Sequence, residues 1–290
     1  MVQHNVVTLF PITDQYNTYN ELAKVHHNKL SQFTVNQSID VVFPGWIDGN
    51  LCTMVSALID SHAQRGVNIH PSWQKKETKE FLQHNGFFIE RPQGMSADSS
   101  FSIRSSCIRY KEFKRDQPVE DFNVYLERYL QRGHFPKMSN AVWQKITDCM
   151  SELFLNACQH SDCRRIYVCG QNFPKKRKLD FAIVDSGIGF KRRVKKSLDI
   201  DMQGDEAIKW CMLPGNTTKR CEPGGVGLGI LMEFVKLNGG KMQVISGDGF
   251  YQLKGDKEQS NTLAYELPFT VFNLEIKTDD IHSYRLTSEQ

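Results

Sequence analysis

Glu152-Leu-Phe-Leu-Asn156-Ala157-Cys-Gln-His160 lies within a long run of apolar residues at helical spacing. Residues four apart are neighbours on one helix face, so Glu152 and Asn156 place a carboxylate one turn from an amide. That pairing suits holding a metal and activating a hydroxyl. Downstream, an apolar run at 179–184 ends in Asp185-Ser-Gly187-Ile-Gly189. A strand there hands a fixed carboxylate to a loop whose glycines let it lie close against a ligand, and a purine amino group suits that acid. Further on, Gly224-Gly225-Val-Gly227-Leu228-Gly229 opens into the helical pattern Leu228, Ile230, Leu231, Phe234, Val235, Leu237. Free backbone N–H groups and the positive end of a helix dipole converge at such a turn, which suits a polyphosphate.

In this order and spacing the three stretches resemble the GHKL superfamily of ATP-binding domains, whose members include histidine kinases, anti-sigma serine kinases, gyrase-type ATPases and Hsp90. A single glycine turn recurs by chance, whereas all three in sequence are specific. The resemblance covers roughly residues 138–277 and is nearest to the anti-sigma serine kinases, which have a Glu four residues before the Asn and a His four after, as Glu152 and His160 stand here. It implies ATP and Mg²⁺ as cofactors, Asn156 as the metal-ligating amide and Glu152 as the general base. It further implies Asp185 as the reader of the adenine amine, backed by Thr270, with Gly187 and Gly189 admitting base and ribose. Gly225, Gly227, Leu228 and Gly229 would cradle phosphates. For His160, nucleotide contact and a helix-end role stand equally open. The family usually has Gly before its Thr, and this chain has Phe269; a ring there is expected to reshape the adenine floor.

Around this half the composition sets limits. A chain of 290 residues that is 40% hydrophobic can bury a large core, and about one domain per 100–200 residues suggests two. The net charge of +3 is modest, giving no nucleic-acid footprint. No apolar run approaches the roughly 18 residues of a membrane span, and residues 1–13 lack a basic region followed by an apolar core. The expectation is a cytoplasmic, unprocessed chain with no membrane partner. The eight cysteines show no Cys-x-x-Cys pair and sit mostly in apolar runs, as reduced core thiols do. Cys158, His160 and Cys163 do not have the spacing of a structural zinc knuckle.

Residues 1–100 alternate strand and helix signals: a β-branched and aromatic strand at 38–43, helical apolar spacing over 50–60, a short apolar segment at 67–69, a helix over 75–84 and a short strand at 86–89. With a helix beginning after Trp46-Ile-Asp-Gly-Asn50, this looks like a STAS-like α/β domain, the fold of anti-anti-sigma factors. Those factors carry a phosphorylatable Ser before that helix; Asp48-Gly49-Asn50 offers no hydroxyl. Residues 101–137 read as a linker or edge strand followed by an amphipathic helix at 118–132 that bridges to the core. The GHKL unit then occupies 138–290. No histidine phosphoacceptor box is visible, since His26-His27-Asn28 lacks the acidic neighbour and downstream Pro of that motif.

Within the GHKL unit the pattern predicts a helix over 139–160, a hairpin of strands at 165–169 and 179–184, the glycine-led helix to 237, and closing strands at 242–246, 261–267 and 270–276. These make an α/β sandwich with helices on one face of a mixed sheet. Residues 190–223 correspond to the family's ATP lid, with one short helix at 206–212. Basic residues 175–178 read as a hairpin tip and 191–196 as a mostly solvated run. Lys219, after Thr217 and Thr218 and just ahead of the glycines, is the better candidate for a triphosphate contact. Three functions stay open: Mg-ATP-dependent phosphorylation of a protein partner on Ser or Thr in an anti-sigma-like switch, a gyrase-type ATPase working as a homodimer, and a non-catalytic ATP-gated interaction module.

Overall fold

The computed structural model describes residues 5–90, 106–130, 134–213, 216 and 226–289. The chain runs β1 (Asn5–Thr8), α1 (Tyr16–Asn28), β2 (Ser38–Phe43), α2 (Cys52–Ala63), β3 (Asn68–Trp73), α3 (Lys76–His84), α4 (Phe87–Glu90), β4 (Cys107–Lys114), α5 (Val119–Tyr129) and α6 (Asn140–His160). It continues through β5 (Arg165–Phe173), β6 (Lys178–Asp185), α7 (Gly189–Leu198), α8 (Gly204–Met212), α9 (Val226–Asn238), β7 (Lys241–Lys254) and β8 (Lys257–Lys277). Among the described residues no helix is long and apolar enough to cross a membrane.

The protein is mixed α/β with two sheets. One is parallel, in the order β1-β2-β3; the other has five strands in the order β4-β5-β6-β8-β7, and every neighbouring pair in it is antiparallel. The mixed sheet expected of residues 138–290 is therefore corrected to an all-antiparallel one, whose edge strand β4 comes from before that range. The cause is local: β5–β6 and β7–β8 are hairpins, and β8 inserts between β6 and β7, which run in the same direction.

Both faces of the five-stranded sheet are covered. Leu179, Phe181 and Ile183 of β6 join Ile146, Met150, Leu153 and Phe154 of α6 and Leu231 and Val235 of α9 in one core. Val184, with Tyr167 and Cys169 of β5 and Phe269 and Val271 of β8, faces a second core built with Leu22 of α1 and Leu51, Val55 and Leu58 around α2. α2 lies between the sheets, touching β3 on one side and β5, β6 and β8 on the other. Period-two alternation along each strand sends its neighbours to opposite cores.

Polar groups join the two halves as well. Asn50, 1% exposed, donates to Asn273 Oδ1 at 2.5 Å; Asn273 donates to Gln243 Oε1 at 3.0 Å, which also accepts from the Tyr19 hydroxyl at 3.2 Å. Gln243 in turn donates to the Asp14 carbonyl at 2.8 Å. Beside this chain, Lys241 pairs with Asp14 and, at 3.4 Å, with Glu275, while Lys178 meets Asp180 at 2.8 Å and Glu275 at 2.7 Å.

Other expectations shift in detail. Residues 86–89, expected as a strand, contribute to the short helix α4, and their apolar run serves the second core through Phe87 and Phe88. The edge strand expected before the amphipathic helix is β4, which pairs with β5, while 91–105 lie outside the described residues. α5 packs on α6 as a core helix, its Phe122 ring stacked on Phe154 at 4.5 Å. The three closing strands are two long ones, because residues 249–254 also pair, with 257–262. The region assigned to the lid opens with an unforeseen helix, α7, whose only buried side chain is Val194.

Candidate nucleotide site

β6 delivers Asp185 to the end of the sheet on the α6 side, directly opposite Thr270 of β8, which is opposite Ser246 of β7. Directly opposed residues share a face, so a carboxyl and two hydroxyls form one row. Asp185 is 7% exposed and Thr270 3%. The Asp185 carboxylate accepts the Gly187 N–H at 2.9 Å, and Ser246 and Thr270 hydroxyls lie 3.0 Å apart. Burial pushes the Asp185 carboxyl up to about 7, against the lowering pull of the Gly187 N–H and the Ser161 hydroxyl.

The loop after Asp185 is fastened to the end of α6. Ile188 donates its N–H to the Ser161 carbonyl at 2.7 Å, and the Ser161 hydroxyl donates to the Ala157 carbonyl at 2.6 Å. A Cβ at Gly187 would stand 2.1 Å from the Ser161 carbonyl oxygen, so the absent side chain is required by this contact inside the chain. Gly187→Ala is expected to destabilise the protein by about 1–3 kcal/mol, the usual cost of forcing atoms into a packed site, seen as a lowered midpoint in urea unfolding. Gly189 has φ +77°, a conformation that favours glycine, and its neighbour Phe190 donates its N–H to Ser246 Oγ at 2.9 Å.

Phe269 does not touch this row. It is 1% exposed within the second core, because adjacent strand residues point to opposite faces; its ring therefore lies on the face of the sheet opposite to Asp185 and Thr270.

α6 begins with Ser139 capping the Val142 N–H at 3.2 Å and buries Ile146, Met150, Leu153 and Phe154. Glu152 and Asn156 fall on its half-buried flank, and among the described residues neither side chain has a hydrogen-bond or ion-pair partner. Asn156 precedes by one residue the Ala157 carbonyl that holds Ser161, so the loop and the amide share the last turns of α6. His160 closes that helix.

Gly227, Leu228 and Gly229 lie in the first turn of α9, which starts at Val226. Among the described residues a Cβ at Gly229 would meet nothing within 4 Å, so their packing does not explain that glycine. Thr217, Thr218, Lys219, Gly224 and Gly225 lie outside the described residues. The basic run on α7 is solvated, as expected, and also ion-paired: Lys191 with Asp248 at 3.0 Å, Arg192 with Glu266, Lys195 with Asp199 at 2.8 Å and Lys196 with Asp162 at 2.9 Å, the last three cations with half or more of their side chains exposed.

Ser246 and Ser161 were not singled out from the sequence. Ser246 carried a signal: it ends an apolar run and is followed by Gly247-Asp-Gly249, the same strand-to-glycine step that marks Asp185. Ser161 had none, since its role is set by where the α6 end meets the loop.

The raised Asp185 pKa has a defined sign. Between about 4 and about 7 the folded state holds a proton that the unfolded state, with its ordinary value of 3.8, has released. Stability therefore falls as pH rises through that window. Asp185→Asn cannot ionise and is expected to flatten this part of the pH–stability curve in denaturant titrations at pH 5, 6, 7 and 8. A variant curve parallel to the parent's would remove Asp185 as its source.

No protein-family model matches the chain, and no curated protein matches it.

Proposed function

We propose that this is an ATP-binding signalling protein of the GHKL class that uses Mg-ATP to phosphorylate a protein partner on Ser or Thr. The supporting observation is the convergence of Asp185 and Thr270, in direct register at the sheet end, with the last turns of α6 that bear Asn156. Asp185 accepts the adenine amine and Thr270 supports it. Glu152 and Asn156 have side-chain groups unclaimed by the described residues. That fits a metal taking one or two protein ligands and completing its shell with phosphate and water. Asn156 offers its amide oxygen to Mg²⁺, and Glu152 takes the proton of the acceptor hydroxyl. Bound Mg²⁺ supplies neutralising charge between phosphates. Gly229, which no described residue would crowd if it carried a Cβ, leaves backbone open to the phosphates at the start of α9.

The STAS-like unit is in this reading a fixed cover for the sheet. The segment corresponding to the phosphorylated turn of anti-anti-sigma factors is buried: Asn50 is bonded to Asn273, and a Cβ on Gly49 would meet Gln171 Oε1 at 2.5 Å. That turn is therefore not the phosphoacceptor, and in this reading the acceptor hydroxyl belongs to a partner protein. Incubation with γ-labelled ATP, Mg²⁺ and candidate partner proteins tests this. Label transferred to a partner supports the kinase, and free phosphate without labelled protein replaces it by an ATPase. Calorimetry showing no binding of Mg-ATP overturns the nucleotide assignment altogether.

A further inference from the structure

We infer that Ser246 is a positioning residue that turns the Thr270 hydroxyl into a donor toward a bound base, so that Asp185 and Thr270 jointly select a ring bearing an amine next to an unprotonated ring nitrogen. This rests on the nucleotide reading above and concerns how the base is chosen. The Phe190 N–H can only donate, and it is aimed at Ser246 Oγ at 2.9 Å. The Ser246 oxygen is thereby an acceptor, and its single hydrogen needs an acceptor of its own. Among the described residues the one hydrogen-bond partner left to it is Thr270 Oγ1, at 3.0 Å.

Thr270 then accepts from Ser246, and its own hydrogen is left to point away from β7. Polarity passes along one line: backbone N–H to Ser246, Ser246 to Thr270, Thr270 outward. Each bond polarises the next, and the buried setting strengthens the series. Next to it stands Asp185, which when ionised can only accept. An acceptor beside a donor complements the adenine edge, with its amino group and its bare ring nitrogen. It opposes the guanine edge, where a carbonyl would face the carboxylate and a ring N–H would face the hydroxyl hydrogen. The glycine at 189 belongs to the same device: its Cβ would lie 2.9 Å from Ser246 Oγ, so the turn presenting the Phe190 N–H has to pass close over the serine.

The test compares Mg-ATP with Mg-1-deaza-ATP, in which a C–H replaces the ring nitrogen next to the amine, by calorimetry on the full chain. The parent is expected to favour ATP by about tenfold, as when a buried donor loses its acceptor. Ser246→Ala should narrow the preference to about twofold by weakening ATP alone. Thr270→Val should do the same, and the double variant should lose nothing more, because the two act in one series. Ser246→Thr keeps the hydroxyl and should keep the preference, which guards against a poorly folded alanine variant. The inference fails if Ser246→Ala retains the parental preference, if it weakens both nucleotides equally as a merely structural residue would, or if the parent does not distinguish them. A parent that binds neither nucleotide overturns the ATP assignment itself, a separate outcome from the failure of the relay.

Discussion

Glu152→Ala should lose about 10²- to 10⁴-fold in turnover, the usual worth of a positioned proton acceptor, while its affinity for Mg-ATP stays close to that of the parent. The carboxylate sits on the half-buried flank of α6 with no partner among the described residues, so its removal breaks no bond there. Asn156→Ala should differ in kind: it deletes the oxygen proposed to ligate Mg²⁺, so nucleotide affinity and turnover are expected to fall together. Labelled γ-phosphate, counted both as free phosphate and as protein-bound label, separates the two patterns. A Glu152→Ala protein that turns over like the parent removes the general base, and an Asn156→Ala protein with parental Mg-ATP affinity removes the metal ligand.

Lys241→Met should cost about 3–5 kcal/mol of unfolding free energy, the penalty for leaving buried charges unbalanced. Lys241 is 6% exposed and is held between Asp14, which comes from the segment before α1, and Glu275 of β8. The carboxylates of Asp14, Asp180 and Glu275 lie within 4.8 Å of one another, and Lys178 and Lys241 supply the positive charge between them. Burial already pushes the Asp180 carboxyl up to about 7, over the opposing pull of Lys178; losing one of the two ammonium groups leaves three carboxyls around a single cation. The double variant Lys241→Met/Asp14→Leu removes both charges of the closest pair and should recover most of the loss. Denaturant unfolding at pH 7.5 reads both values. A single variant as stable as the parent would show that the cluster contributes nothing to joining the two halves.

The elements easiest to foresee were those whose side chains obey one period. α6 shows its apolar stripe from Ile146 to Ala157, β2 alternates buried and half-buried residues along its length, and Ser139 marks the helix start by the cap it forms. α4 was missed because an apolar run as short as Phe87-Phe88 fits strand or helix equally well. α7 was missed because a solvated basic run carries almost no apolar period, and the acids that pair with it, Asp248, Glu266 and Asp162, lie far away in the sequence. The second core was also missed, although β6 announced it: Phe181-Ala-Ile-Val184 is apolar without alternation, the pattern of a strand covered on both faces. In the candidate site, Asp185 was legible from its strand-to-glycine step, whereas the hydroxyl row across β8 and β7 depended on register, which no local pattern encodes.

That a single strand serves two cores has a practical consequence. On β8, Phe269 and Val271 belong to the packing against α1 and α2, and Thr270 between them belongs to the opposite side. A fragment starting at residue 106 would present Tyr167, Val184, Ile245, Phe250 and Val271 to water, a contiguous adhesive surface of the sort that drives aggregation. The carboxyl-terminal half is thus not a portable cassette to be excised for assay; its sheet keeps one face dry only while the first hundred residues cover it.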